Sequence, residues 1–455
     1  MKKFFLLLTI LAVCLAPLPA ARAEAGTARN VKVKDFWKLF DLATLDTDGK
    51  DGKVGTPYRF YSDHDLSFSY HIQGFSPFHF GGATQPMCKA FVTHSTGGNY
   101  GDFGILSTGS QYWFELTSTP KSEKFNHPGG FQTIGDYAVV PVESDSSKAA
   151  YIYAFDLSGV QYAMRKPDSF NLNFSDSTGE FSKLGNKAGI AAICDYRDHV
   201  ASEDIYLLAV HGGGAIRFYK SGAITVTTPT LKEAVFKEIA TIKDYDKFIS
   251  KCPWEAEQEY HGMSLIVEET SSSSGQFTDK VYLLGFVAAN VAVVKDFVQV
   301  FDVSFYDSES NPQFTFDLSS KLPIDSNKTN FYRHMVLKGV SGLTGTHFRW
   351  GSSALARQYE DGGKIVQALE LYGTERKGEG GNMYYDVFSS GPVGIGDGDS
   401  NDGDTNDGDT NDGGTNGGGK TPKGNSGGCS TFGFGMLALV LAVLTVRKRS
   451  DGDYF

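Results

Sequence analysis

The chain has 455 residues and a net charge of −11, but seven of its Asp residues crowd into residues 397–419, where no Lys or Arg stands. Without that stretch the net charge is only −4, so the rest of the chain carries no basic footprint for nucleic acid. A hydrophobic content of 40%, with 34 Phe and 22 Tyr, excludes a chain disordered throughout and favours half-buried strands.

The chain opens with Met1-Lys2-Lys3, an apolar run over residues 4–18, and Ala21-Arg22-Ala23. These are the charged, apolar and small-residue parts of a secretory signal peptide, residues 1–23, cut after Ala23 by signal peptidase. The short apolar run and small-residue site argue against an uncleaved membrane helix. Residues 24–392 are then expected to form the folded domain of an exported protein. Of the five cysteines, Cys14 lies in the signal and Cys429 in the tail. The remaining Cys88, Cys194 and Cys252 are odd in number, which allows at most one bridge and suits buried thiols.

Next comes Asp46-Thr-Asp48-Gly-Lys-Asp51-Gly52. Alternating Asp residues with glycines at the bends place oxygens around a hard cation, so Asp46, Asp48 and Asp51 are calcium candidates. One extra residue breaks the EF-hand spacing and no Glu closes the loop, which also suits a solvated turn.

Internal similarity dominates the middle of the chain. Ile205-Tyr-Leu-Leu-Ala-Val210 matches Val281-Tyr-Leu-Leu-Gly-Phe286, and Ile152-Tyr-Ala-Phe-Asp-Leu-Ser158 matches Val298-Gln-Val-Phe-Asp-Val-Ser304. Unit openings fall near His71, His127, Lys187, His261 and His347. Each is followed by hydrophobic strands and an Asp/Gly/Ser turn. Four strands per unit, repeated radially, is the logic of a β-propeller. The expected fold is all-β, a propeller of about five four-stranded blades, with room for a sixth or seventh. A multi-sheet β-sandwich is the alternative. The last unit is short by a strand, which residues 31–42 are expected to supply. Residues 230–249 carry the clearest helical spacing and read either as a helix between blades or as part of an outer strand.

His71, His127, His261 and His347 each open an innermost strand, where residues line the mouth of a propeller's channel. Imidazole is a common metal ligand, so these four are candidates for one transition metal. Structural bridging to a neighbouring blade's backbone is the plainer use of the same residues. His71, Gln73, His94, His127, Gln132, His211 and Arg349 are expected near the same rim, as a polar pocket for a ligand. No G-x-S-x-G, H-E-x-x-H, Walker A or C-x-x-C pattern is present, so no catalytic residue is assigned. A metal-dependent hydrolase, lyase or oxidoreductase at the mouth stands as the alternative to a non-catalytic binder.

His71-Ile-Gln-Gly74, Phe91-Val-Thr-His-Ser95, His127-Pro-Gly-Gly-Phe-Gln132 and Phe348-Arg-Trp-Gly351 resemble phrases in a loosely defined group of secreted bacterial propeller proteins. The resemblance implies the fold and no particular activity.

Residues 393–425 include Asn401-Asp-Gly-Asp-Thr, an exact copy of it from Asn406 and a near-copy from Asn411. With no apolar residue, these repeats suit a flexible, self-repelling spacer. Residues 426–455 then hold Gly427-Gly428-Cys429, an apolar stretch over 432–446 and Arg447-Lys448-Arg449. The combination resembles the CTERM class of bacterial sorting signals, in its Synerg-CTERM version. It implies a short membrane helix, a sorting protease cutting near Gly427, Gly428 and Cys429, and delivery to the cell surface or lipidation at Cys429. A plain tail anchor is the alternative. The expected protein is exported and displayed at the cell surface or outer envelope. There it would bind a surface glycan, peptide or partner protein.

Overall fold

The structure is a computed structural model that describes residues 31–395 with internal gaps, the longest being 46–55, 62–71, 79–88, 176–187, 244–259, 288–296, 315–331 and 337–350. The expected signal peptide, the Asp46–Asp48–Asp51 loop, the expected spacer from residue 396 onward and the expected sorting tail lie outside the described residues, as do His71, His347 and Arg349. Among the described residues, no helix is long and apolar enough to cross a membrane.

The described chain begins with helix α1 (Phe36–Thr44) and strand β1 (Thr56–Tyr61), and then enters five antiparallel blades. Blade 1 is β2 (Ile72–Phe78), β3 (Lys89–His94), β4 (Asp102–Ser107) and β5 (Gln111–Glu115). In blade 2, β6 (His127–Pro128) and β7 (Gln132–Ile134) share the innermost place. They are followed by β8 (Tyr137–Glu143), β9 (Ala150–Asp156) and β10 (Asp168–Asn171). Blade 3 is β12 (Ile190–Asp198), β13 (Glu203–Gly212), β14 (Ala215–Lys220) and β15 (Val235–Lys243), with β11 (Asn173–Phe174) parallel at its outer edge. Blade 4 is β16 (Tyr260–Ser271), β17 (Phe277–Val287), β18 (Phe297–Val303) and β21 (Tyr332–Val336), and a short hairpin of β19 (Phe305–Tyr306) and β20 (Gln313–Phe314) lies in sequence between its last two strands. Blade 5 is β22 (Ser352–Asp361), β23 (Lys364–Thr374) and β24 (Asn382–Ser389). Its fourth strand is β1, and β25 (Val393–Gly394) adds a short pairing to β23.

The fold is therefore a five-bladed β-propeller, as the repeat spacing implies. One expectation is corrected. The strand that completes blade 5 is β1, paired from Thr56↔Val387 to Tyr61↔Asn382, and not residues 31–42. Within 31–44, Phe36, Leu39, Phe40 and Ala43 recur at helical spacing behind Asp35. Asp35 caps the helix by accepting from the Lys38 N–H at 2.9 Å. For residues 230–249 the second of the two expected readings holds: they include the outer strand β15, because Lys237 to Lys243 pair along β14. Tertiary pairing overrides a weak local preference there.

Blades cohere through five apolar clusters, one per neighbouring pair. Phe91, Phe103 and Phe155 sit between blades 1 and 2, Ile152, Ile193 and Leu208 between 2 and 3, and Ile190, Leu265 and Leu283 between 3 and 4. Leu284, Val300 and Leu369 join blades 4 and 5, and Phe75, Val92 and Tyr372 join 5 and 1. Fully burying each such side chain contributes about 1.5–3 kcal/mol. Cys194 is a buried free thiol in this core, and burial pushes its pKa well up. Cys88 and Cys252 lie outside the described residues.

The innermost strands come close enough to bond directly. The Gly130 N–H donates to the Gly189 carbonyl at 2.9 Å and the Ala191 N–H to the Gly130 carbonyl at 2.9 Å. A Cβ on Gly129 would collide with the Gly189 carbonyl, and one on Gly262 with the Ser352 carbonyl. At those two positions glycine sets how tightly the blades converge.

Candidate functional site

Inner strands all run the same way, so one end of the propeller gathers the starts of β2, β6, β12, β16 and β22. The second strand of each blade ends there too. In register, Ile72 faces His94, His127 faces Glu143, and Ile190 faces His211. Three polar residues thus occupy the same place in blades 1, 2 and 3, which the irregular repeat spacing concealed.

Gln73, His127 and Glu143 form a chain of polar contacts. His127 Nδ1 lies 3.1 Å from Glu143 Oε1, and its Nε2 lies 3.0 Å from Gln73 Nε2. The carboxylate requires a proton on Nδ1, so Nε2 accepts from the Gln73 amide. His127 therefore ties blade 2 to blade 1 while its side chain keeps 31% exposure, and Glu143 behind it keeps 11%.

His211 of blade 3 lies near enough to Glu143, and to His261 of blade 4, to feel their charge. His211 is buried, and burial depresses its pKa to about 4. Glu143 acts to raise it, while His261 and Arg217 lower it further. Those three residues are thus close enough to be felt electrostatically. His211 stacks edge-on against Tyr260 with ring centroids 6.0 Å apart. The Tyr260 hydroxyl donates to Gln299 Oε1 at 2.6 Å, and Arg217 donates to the Gly212 carbonyl at 3.3 Å. The result is a half-buried polar rim with one carboxylate, one guanidinium, imidazoles and amides.

Two other expected rim residues, Gln132 and His94, are buried. Gln132 lies deeper, 1% exposed, at the axis. Its Oε1 accepts from the N–H groups of Ile193 at 3.0 Å and Leu265 at 2.8 Å, and its Nε2 donates to the Leu265 carbonyl at 2.9 Å. One side chain from blade 2 so binds blades 3 and 4. Ser264 accepts from the Ala354 N–H, Ser353 donates to the Phe75 carbonyl, and Ser76 meets Thr133, carrying the same ring through blades 4, 5, 1 and 2. Polar groups at the axis are therefore used in holding the blades together. His94 is buried between strands, with its ring edge-on to Trp113 at 5.7 Å and Nδ1 3.8 Å from Asp102.

Among the described residues, no group of three or more His, Cys, Asp or Glu has the arrangement to hold a metal ion. His127 and His261 are described. The other two members of the expected histidine ring, His71 and His347, are outside the described residues, and so is the calcium loop.

Sequence reasoning missed Glu143, Arg217 and Tyr260. Glu143 left one trace, a carboxylate closing the buried run Ala138 to Val142, where an acid needs a partner.

Comparison with protein-family models and with curated proteins finds no match for this chain.

Proposed function

We propose that this is an exported, surface-displayed propeller that binds a glycan, peptide or partner protein at the rim formed by Gln73, His127, Glu143, His211 and His261. One observation carries the reading: the last described strand leaves at the end of the propeller opposite the rim. β25 pairs with Val366 and Gln367 at the far end of β23, and the Ile395 N–H donates to the Ile365 carbonyl beyond them. A tether attached there would leave the polar rim facing outward. Half-exposed His127 and the acceptors and donors around it suit a ligand that presents hydroxyls or amides.

The test is a glycan and peptide array probed with the mature chain, repeated with His127→Ala and Gln73→Ala variants of matched stability. Ligands lost in both variants support the rim as the site. Ligands that both variants keep place binding elsewhere and sink the reading.

A second reading, an enzyme at the same rim, rests on the carboxylate behind His127, since an imidazole held by a carboxylate is suited to proton transfer. Elemental analysis of the mature chain separates the two. A stoichiometric zinc, iron or copper lost on His127→Ala with His261→Ala favours a metal-dependent hydrolase, lyase or oxidoreductase.

A further inference from the structure

The cleft between blades 4 and 5, at the end opposite the rim, is filled by residues 31–44. They are held as a peptide is held by a receptor. Residues 31–34 are extended. The Val33 N–H donates to the Val267 carbonyl at 2.8 Å and the Glu269 N–H to the Val33 carbonyl at 2.8 Å, both in blade 4, while the Val31 N–H donates to the Ala356 carbonyl of blade 5 at 3.1 Å. The Gln367 amide clamps the same stretch from both sides. Its Oε1 accepts from the Lys34 N–H at 2.9 Å and its Nε2 donates to the Lys32 carbonyl at 2.9 Å.

Three further features read the side chains. Lys32 Nζ lies 2.9 Å from Asp279 Oδ2 and 4.0 Å from Asp204, and Lys34 Nζ is 2.6 Å from Glu269. Glu268 Oε2 accepts from the Phe36 N–H at 2.8 Å, which puts a carboxylate at the positive end of α1. Phe36 and Phe40 are fully buried, and Phe36 stacks on Tyr282 with centroids 4.1 Å apart. The seat is thus made of backbone pairing, an amide clamp, an acidic lane and an aromatic pocket, the elements of strand-addition and helix-in-groove recognition together.

We propose that the cleft between blades 4 and 5 is a peptide-binding site, selective for an extended Lys-x-Lys segment running into a Phe-x-x-x-Phe helix, and filled in this chain by its own residues 31–44. The segment is made first, while its seat, β16 to β24, is made last. Its docking therefore closes the ring only once blade 5 exists, beside the closure made by β1. This inference is independent of what binds the rim.

The experiment deletes residues 31–44 from the otherwise full mature chain and titrates in a synthetic peptide of that sequence. The expected result is a lowered thermal midpoint, saturable peptide binding in the micromolar range or tighter, and recovery of the midpoint on binding. A peptide carrying Phe36→Ala and Phe40→Ala should not bind, and a chain carrying Gln367→Ala should bind about tenfold more weakly. A deletion variant that keeps the intact chain's midpoint, or that folds and binds no peptide, overturns the proposal. If the deletion variant does not fold, a protease site placed between residues 46 and 55 of the intact chain is cut after folding. Replacement of the cut segment by labelled peptide supports the proposal. A segment that falls away without lowering the midpoint, or that labelled peptide never replaces, overturns it.

Discussion

His127 and Glu143 face each other across the first and second strands of blade 2, with Nδ1 of the imidazole 3.1 Å from Oε1 of the carboxylate. The pairing fixes the ring's proton on Nδ1 and turns Nε2 toward Gln73 of the neighbouring blade. In Glu143→Gln the acceptor remains but the charge is gone, so the tautomer preference should weaken. Nitrogen chemical shifts of the His127 ring should show a single Nδ1–H tautomer in the native chain and a mixture in the variant. Identical shifts in the two would mean that Glu143 does not orient the ring.

His211 gives a pH dependence with a defined sign. Its folded pKa of about 4 lies below the ordinary 6.5, so the unfolded chain binds the proton more readily. Above pH 6.5 both states are neutral and His211 makes no difference. As pH falls from 6.5 toward 4, stability should drop, by up to about 3 kcal/mol at 1.36 kcal/mol per unit. Urea midpoints measured across that window should fall less steeply in His211→Leu than in the native chain. Equal slopes would remove His211 as the cause.

Gln132 should matter for stability rather than for ligand binding. Gln132→Leu keeps the volume but leaves the N–H groups of Ile193 and Leu265 without their acceptor at the axis. The expected loss is about 3 kcal/mol in denaturant unfolding. Ligand affinity at the rim should be unchanged once the variant is folded. A variant as stable as the native chain would mean that these two N–H groups find another acceptor.

Lys32 carries the opposite pH sign to His211. Burial opposes its charge, but Asp195, Asp279 and Asp204 together outweigh that, and its pKa is raised above 10.5. With Asp195 ionised, its contribution is present in full below pH 10.5 and is lost as pH rises through the folded value. Asp195 is itself raised by burial and held down by Lys32. Lys32→Met should therefore cost about 2 kcal/mol at neutral pH, and less in acid where Asp195 takes a proton. Thermal midpoints of variant and native chain should converge both in acid and above the raised lysine pKa. A gap that stays constant with pH would contradict the electrostatic account.

Much of the ring was legible because its strands announce themselves locally. The unit openings expected near His71, His127, Lys187, His261 and His347 lie close to the starts of inner strands at Ile72, His127, Ile190, Tyr260 and Ser352. Alternating β-branched and aromatic runs ending at polar turns need no distant partner to be recognised. Gln73 and His127 each stand near the start of an inner strand, and their side chains meet. Their shared contact with Glu143 was not legible, because it depends on register between strands.

By itself, the sequence determined an all-β chain of five repeated units, because hydrophobic alternation and turn residues act over a few neighbours. Only the tertiary structure decided that β1 completes blade 5, that 36–44 is a helix between blades 4 and 5, and that Gln132 spans the axis. Those outcomes rest on pairings between residues more than a hundred positions apart, such as Thr56 with Val387 and Gln132 with Leu265. Such pairings leave no periodic mark on the chain. They are set by which backbone groups and apolar faces remain unsatisfied once the blades have formed.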